Sequence, residues 1–508
     1  MSYRPVKCYK FDSLTPQQKF EIVASDPTIR VVAEEFSVTE NRTKPLSTDA
    51  VGLLLLGVAS AIFHGDAAAE RELETNWAFY KPLFEAAGAT VSDTPLKMGV
   101  FRYWRDQMLS TTELQETNDR LRATLRVLAV GQARDIGLLD SHEWEPSNPG
   151  GWFEVPRERV LMADGTWFKP LAGIDRKAKH RSGRTTRSNN GIPKESVDAR
   201  SNNKGTGYLH VVLAARGPKS NQQIMFDVVH SPSGAEMEEV IDSLEQLRDV
   251  TGPMDAGFVY DGAMRGQHLR RIRTQLGVMA LAQRHGSDGT KYRETLGTTV
   301  PRSKQHVFAH DFDCGDGQIC KHQLRLTNGV VFNVEPNHID QLTHVSVCEQ
   351  LDLQRTDAGN AWFWLSTYRV PCDTHGEHTL TIELDEPVEN TAEKLPAIAQ
   401  SEPAFRRIYG YRNAAESLMN YLKFVVLGSG RAQSLTNERH ELDLRFATLI
   451  TNSLAWAQHS GRYINKSLKK CGHERRERCG CSGPRQQKPR PSARRNNEER
   501  RRAEIRQR

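Results

Sequence analysis

Between residues 159 and 283 the chain alternates short apolar runs with amphipathic stretches, and this order limits what it can fold into. ERVLMADGTWF, YLHVVLAAR and QQIMFDVVH read as three strands. Met237, Val240, Ile241, Leu244 and Leu247 then recur at helical spacing. AGFVYDG is a fourth strand, LRRIRTQLG a second helix and VMALAQ a fifth strand. Strands interleaved with helices predict an α/β domain with a partly parallel sheet, because a parallel return needs a crossover. The first strand is expected to end at Asp164-Gly165 and the fourth at Asp261, so a sheet could set two carboxylates side by side.

The flanking regions read differently. Residues 1 to about 150 are expected to be helical, with the first two helices either an ordinary packed pair or a DNA-end-binding one. Thr15-Pro16 is a helix start, TIRVVAEEF a second short helix that could complete a helix-turn-helix, and Leu114, Leu121, Leu125 and Leu128 share one face of a later helix. PSNPGG (146–151) is a turn or linker. The long basic stretch 175–205 lacks periodicity and reads as an exposed loop suited to DNA phosphates. Residues 285–400 alternate as strands do, in HQLRLTNGVVFNV, AWFWLSTYRV and HTLTIEL, and form a β-rich insertion. Helical patterns return at 401–430 and again within 431–465.

Charge is concentrated at the C-terminus. From Lys466 to Arg508 there are 16 Lys or Arg against 5 Asp or Glu, in a chain whose formal net charge is only +6, so the remainder is net negative. Such a tail (466–508) is expected to be disordered and drawn to polyanions. Eight cysteines in 508 residues make no disulfide framework, and the longest apolar stretch, Ala50 to Phe63, falls short of the ~20 residues of a membrane span. A cytoplasmic location, nucleoid-associated when on DNA, with no membrane role, is the expectation.

The most specific signal lies at the end of the predicted α/β unit. Tyr409, Arg412, Glu416 and Lys423 are spaced by three, four and seven residues, which on an α-helix of ~3.6 residues per turn puts all four on one face. Two-metal phosphodiester chemistry needs several carboxylates converging on a pair of Mg²⁺ ions, and two strand-end aspartates with a helical glutamate flanked by cations would suit it. The element order is shared by the ribonuclease H-like fold. The helix pattern resembles the Tyr-Arg-Glu-Lys signature of a group of bacterial insertion-sequence DDE transposases, in which the third acid follows a β-rich insertion. The resemblance covers roughly 155–430.

That resemblance implies a ribonuclease H-like catalytic core (151–284 and 401–430) holding two Mg²⁺ ions, with Mn²⁺ as a substitute, on Asp164, Asp261 and Glu416. It implies phosphate contacts from Arg412 and Lys423, with Tyr409 placing a phosphate or supporting the helix. The substrates would be double-stranded DNA, at terminal inverted repeats and target, and the working unit a homodimer on DNA. The reaction would cut at the element's ends and join the 3′-OH to target. The rival readings are a nuclease on the same core that cuts without joining, and a domesticated, non-catalytic DNA-binding protein. Trp362 and Trp364 share a strand face and serve either core packing or stacking on an extruded base. Cys471, His473, Cys479 and Cys481 could bind zinc despite unusual spacing, and Cys314, Cys320 and His322 form a second weak cluster.

Overall fold

The computed structural model describes residues 14–36, 46–139, 144–147, 150–169, 196–197, 204–205, 208–219, 222–231, 235–283, 306–315, 317–327, 329–335, 338–356, 361–385, 396–400, 402–428, 430–434 and 436–459. The basic stretch 175–205, apart from two-residue strands at 196–197 and 204–205, the tail 466–508 and the Cys471–Cys481 cluster lie outside them.

The N-terminal region is helical, as its periodicity predicts. Helix α1 (Pro16–Ala24) begins at Thr15 in a capping box with Gln18, and α2 (Ile29–Ala33) follows. Helix α3 (Ala50–Ile62) is buried nearly all round, and α4 (Asp66–Thr75), α5 (Trp77–Ala87) and α6 (Met98–Tyr103) pack about it. The long α7 (Thr111–Asp135) is capped by Ser110 and Glu113 and buries Leu114, Leu121 and Leu125. No single helix among the described residues is long and apolar enough to cross a membrane.

The central sheet contains β1 (Val160–Phe168), β4 (Tyr208–Arg216), β5 (Gln223–His230), β6 (Gly257–Tyr260) and β7 (Met279–Ala282), while β2 (Ser196–Val197) and β3 (Lys204–Gly205) form a separate small ladder. Its order is β5-β4-β1-β6-β7. β4 pairs antiparallel with both β1 and β5; β6 and β7 run parallel to β1 through the crossover helices α8 (Glu236–Thr251) and α9 (Gly266–Leu276). The fold is therefore mixed α/β. One expected boundary moves: β1 does not stop at Asp164-Gly165 but runs to Phe168, because its β4 side keeps pairing through Phe168↔Tyr208. On the β6 side the paired registers reach only Met162↔Val259.

The insertion is a six-stranded sheet, β8 (His306–Asp313), β9 (Ile319–Thr327), β10 (Val330–Glu335), β11 (His338–Arg355), β12 (Trp362–Cys372) and β13 (Gly376–Glu383), ordered as a meander. It docks through β12 on α9 and on the segment Gly151–Glu154 that precedes β1. Trp364 is fully buried edge-on to Trp152 at 4.7 Å, and Trp362 lies over Gly277 with Arg248 stacked at 4.2 Å from its ring. Gly277 ends α9 at φ +68°, where any Cβ would also stand 2.9 Å from the Trp362 ring. Core packing is what the structure gives both tryptophans; with Trp362 6% and Trp364 0% exposed, neither ring offers a free face to a base. Arg273 and Asp385 add a fully buried ion pair at 3.2 Å.

Helix Asn437–His459 closes the other side. Its Asn452 accepts from the Met225 N–H (2.9 Å) and donates to the Met225 carbonyl (2.8 Å), satisfying backbone groups on edge strand β5. Beside it the buried Asp227 of β5 accepts from Arg122 (2.7 and 2.6 Å) and Arg126 (2.7 Å) of α7. The predicted separation into a helical N-terminal region and a catalytic core is thus bridged by one continuous apolar core and this charge cluster. Removing the central carboxylate strands buried guanidinium groups, so Asp227→Ala should lower unfolding free energy by about 3–5 kcal/mol in urea denaturation. A loss below about 1 kcal/mol would contradict the cluster's structural role.

Candidate active site

The parallel register between β1 and β6 sets the site. Val160, Leu161 and Met162 face Gly257, Phe258 and Val259. Carried forward two residues, that alignment puts Asp164 level with Asp261, which follows β6. Asp261 Oδ1 accepts from the Ala263 N–H at 2.7 Å, fixing the turn into α9. The third carboxylate arrives on the helical segment after the insertion. Arg412 bridges the two groups, its guanidinium 3.5 Å from Asp164 and 3.2 Å from Glu416. The chain beyond is tied to the end of β1, where Lys169 donates to Gly430 O (3.0 Å) and accepts from the Ala432 N–H (2.8 Å).

The signature segment is not the uniform α-helix expected. Helix Pro403–Tyr409 tightens to a 3₁₀ turn over Gly410–Arg412, resumes as helix Asn413–Tyr421 and widens to a π turn over Leu422–Val426. Backbone dihedrals stay right-handed at each junction, so the rod is continuous while the angular step changes twice. Such departures recur at functional sites, where tertiary contacts override the preferred pitch. Tyr409 stacks on Phe405 at 5.3 Å, and its hydroxyl engages the backbone at Gln283. Lys423 is half-buried over the Phe168 ring at 5.4 Å. Arg412 therefore contacts both Asp164 and Glu416, and Tyr409 and Lys423 feel the Asp164 charge, but among the described residues Asp164, Asp261 and Glu416 do not all bring their oxygens within 4.8 Å of one another.

A fourth carboxylate, not singled out from sequence, joins them. Glu236 opens α8 and receives a hydrogen bond from the Tyr260 hydroxyl. It lies over Gly165, where a Cβ would come within 2.2 Å of its Oε1, so the glycine after Asp164 makes room for Glu236. An acid in a helix's first turn is ordinary. Only the tertiary arrangement distinguishes this one.

Electrostatics record the crowding. Burial pushes the Asp164 carboxyl up to about 6; Arg412 opposes this, while Asp261, Glu236 and Glu416 add to it. Burial also raises Glu236, the Tyr260 hydrogen bond working against it and Asp261 with it. Burial lowers Lys423, with Asp164 in opposition. Burial works against the Arg412 charge, but Asp164, Tyr409, Asp261 and Glu416 hold its proton more tightly. Four carboxylates against two cations leave an excess of negative charge that a divalent ion would relieve. Their hard oxygen donors suit Mg²⁺ or Mn²⁺. Arg412 now stands between Asp164 and Glu416, so ion binding at both would have to weaken its contacts.

The raised Asp164 carboxyl predicts a pH signature. The folded chain holds this proton more tightly than the unfolded chain, so ionising it costs stability. The cost is absent below about pH 4, grows to about pH 6 and is complete above, reaching about 2–3 kcal/mol for a shift of about two pK units. In metal-free buffer Asp164→Asn should therefore melt higher than the parent at pH 7.5, with the gap closing toward pH 4. An equal gap at both pH values would contradict the assignment.

No family model matches the chain and no curated protein matches it in sequence, so its functional reading rests on this site.

Proposed function

We propose that this chain is a DDE-type DNA transposase with a ribonuclease H-like core, cutting at the ends of its own insertion sequence and joining them to target DNA. The observation that carries the reading is the parallel β1–β6 register, which carried two residues forward sets Asp164 level with Asp261, together with Arg412 contacting both Asp164 and Glu416. The sheet order, with three antiparallel strands followed by two parallel ones through helices, is the order of ribonuclease H-like folds.

In this reading Asp164, Asp261 and Glu416 hold two Mg²⁺ ions, or Mn²⁺. Bound there, the ions would supply an activated attacking oxygen and a stabilised leaving oxygen. Glu236, fixed by Tyr260 and lying over Gly165, adds negative charge beside Asp164. Arg412 and Lys423 present cations on the same side, suited to DNA phosphates; phosphate binding would draw Arg412 from Asp164 and free that carboxylate for an ion. Tyr409, braced by Phe405, holds the helical rod against the end of β7. Terminal inverted repeats and target DNA are the substrates, and a homodimer holding two ends is the expected assembly.

The test is excision in a bacterial cell, with the native gene and its flanking DNA supplying the ends. Wild type should excise, and Asp261→Ala and Glu416→Gln should each reduce excision on the order of 10³-fold or more while remaining folded and DNA-bound. Excision persisting in either variant would overturn the carboxylate assignment, and cleavage without joining would favour a nuclease. Lys423→Ala should weaken binding to end DNA and lower the slope of log affinity against log salt by about one. An unchanged slope would remove Lys423 from the phosphate contacts.

A further inference from the structure

The insertion holds a second chemical site. β9 and β12 are not neighbours in the sheet, since β10 and β11 separate them. Yet at one end the β8–β9 and β12–β13 hairpins meet, so the sheet curls until its outer hairpins touch. Three cysteines and three histidines converge there: Cys314 after β8, Cys320 and His322 on β9, Cys372 ending β12, His375 in the turn and His378 on β13. Cys320, His322, Cys372 and His378 have ligand atoms all within 4.8 Å of one another, as do Cys314, Cys320, His375 and His378. Among the described residues these are the two sets of Cys, His, Asp or Glu that close so tightly.

In the second set Cys320 Sγ meets His375 Nδ1 at 3.0 Å and Cys314 Sγ meets His378 Nε2 at 3.9 Å; the first set is distinguished by the spacing of its two sulfurs and by the support of its histidines. The Cys320 and Cys372 sulfurs are 3.8 Å apart. Two thiolates at tetrahedral corners, each ~2.3 Å from zinc, stand ~3.8 Å apart, whereas a disulfide requires ~2.05 Å. The histidines are held from outside. His322 Nδ1 meets Asn333 Oδ1 at 3.2 Å, and Asn333 Nδ2 donates to Pro371 O at 2.8 Å, which orients the ring and leaves Nε2 for the cluster. The His378 ring lies flat on Phe312, centroids 4.5 Å apart and planes 7° off parallel. A supported imidazole beside paired thiols is the usual surround of a structural metal.

We propose that Cys320, His322, Cys372 and His378 bind one Zn²⁺ ion that pins the two outer hairpins of the insertion together. Two thiolates and two imidazoles in a closed, partly buried set select Zn²⁺ over the Mg²⁺ or Mn²⁺ suited to carboxylates. The ion is structural: four protein ligands leave no position open, and its three strands include β12, which seats the insertion on α9 and the segment before β1 through Trp362 and Trp364. Cys314 and His375 flank the site without ligating.

The test is the metal content of the full-length protein, purified under reducing conditions after expression with zinc and measured by mass spectrometry. One Zn²⁺ per chain is expected, lost in Cys320→Ser and Cys372→Ser but kept in Cys314→Ser and in a variant with Cys471, Cys479 and Cys481 all changed to Ser. Retention of zinc in Cys372→Ser, loss with the tail triple variant alone, or a metal-free wild type with a Cys320–Cys372 disulfide would each overturn the proposal. Because the serine variants could misfold, the wild-type apoprotein is also titrated with Co²⁺. Saturation at one ion, with tetrahedral ligand-field bands and charge transfer of two Co–S bonds, is expected; an octahedral spectrum would contradict it. Asp261→Ala should keep its zinc, so this site can fail or succeed independently of the catalytic reading.

Discussion

The parallel pairing of β1 with β6 is the constraint on which the rest depends. It is short, with three paired registers, yet it decides that two aspartates 97 residues apart stand level with each other. A one-residue slip would turn one of them to the opposite face of the sheet. The register is held on both sides: β4 pairs with β1 along eight residues, and β7 pairs with β6 along four. α8 and α9 bury their apolar stripes as the crossovers return the chain.

The surrounding elements protect that register. β5 would be an exposed edge, but Asn452 and Arg445 of the C-terminal helix bond its backbone, and α7 delivers two arginines to Asp227. Beyond β7 the insertion seats its tryptophans against Trp152, Gly277 and Arg248. After the insertion the chain lays Arg412 between Asp164 and Glu416 and ties itself to Lys169. A long excursion in sequence thus ends within hydrogen-bonding distance of where it began.

Much of this was legible because periodicity reports burial directly. The strand–helix order from 160 to 282, the Thr15 cap, the stripe of α8 and the β character of the insertion all follow from alternation and spacing. What escaped depends on partners distant in sequence. Glu236 looks like any first-turn acid until Gly165 and Tyr260 are seen beneath it. The 3₁₀ and π turns around Glu416 have no sequence signature of their own, since the residues at their junctions keep right-handed helical dihedrals. Trp362 and Trp364 share a face by spacing, but only docking on α9 and the segment before β1 shows that face to be buried. Cys314, Cys320 and His322 were visible as a fragment; Cys372, His375 and His378 complete the group only because the sheet curls.

We propose that the carboxylates around Asp164 form a divalent-ion site. The most direct measurement is Mn²⁺ binding to the purified full-length protein, followed by electron paramagnetic resonance with and without Asp164→Asn and Asp261→Asn. The account predicts Mn²⁺ bound by the parent protein and released by competing Mg²⁺, with binding lost in both variants while their folds persist. Mn²⁺ binding unaffected by either substitution would contradict it and leave Asp164 and Asp261 as a buried ion-pair network with Arg412.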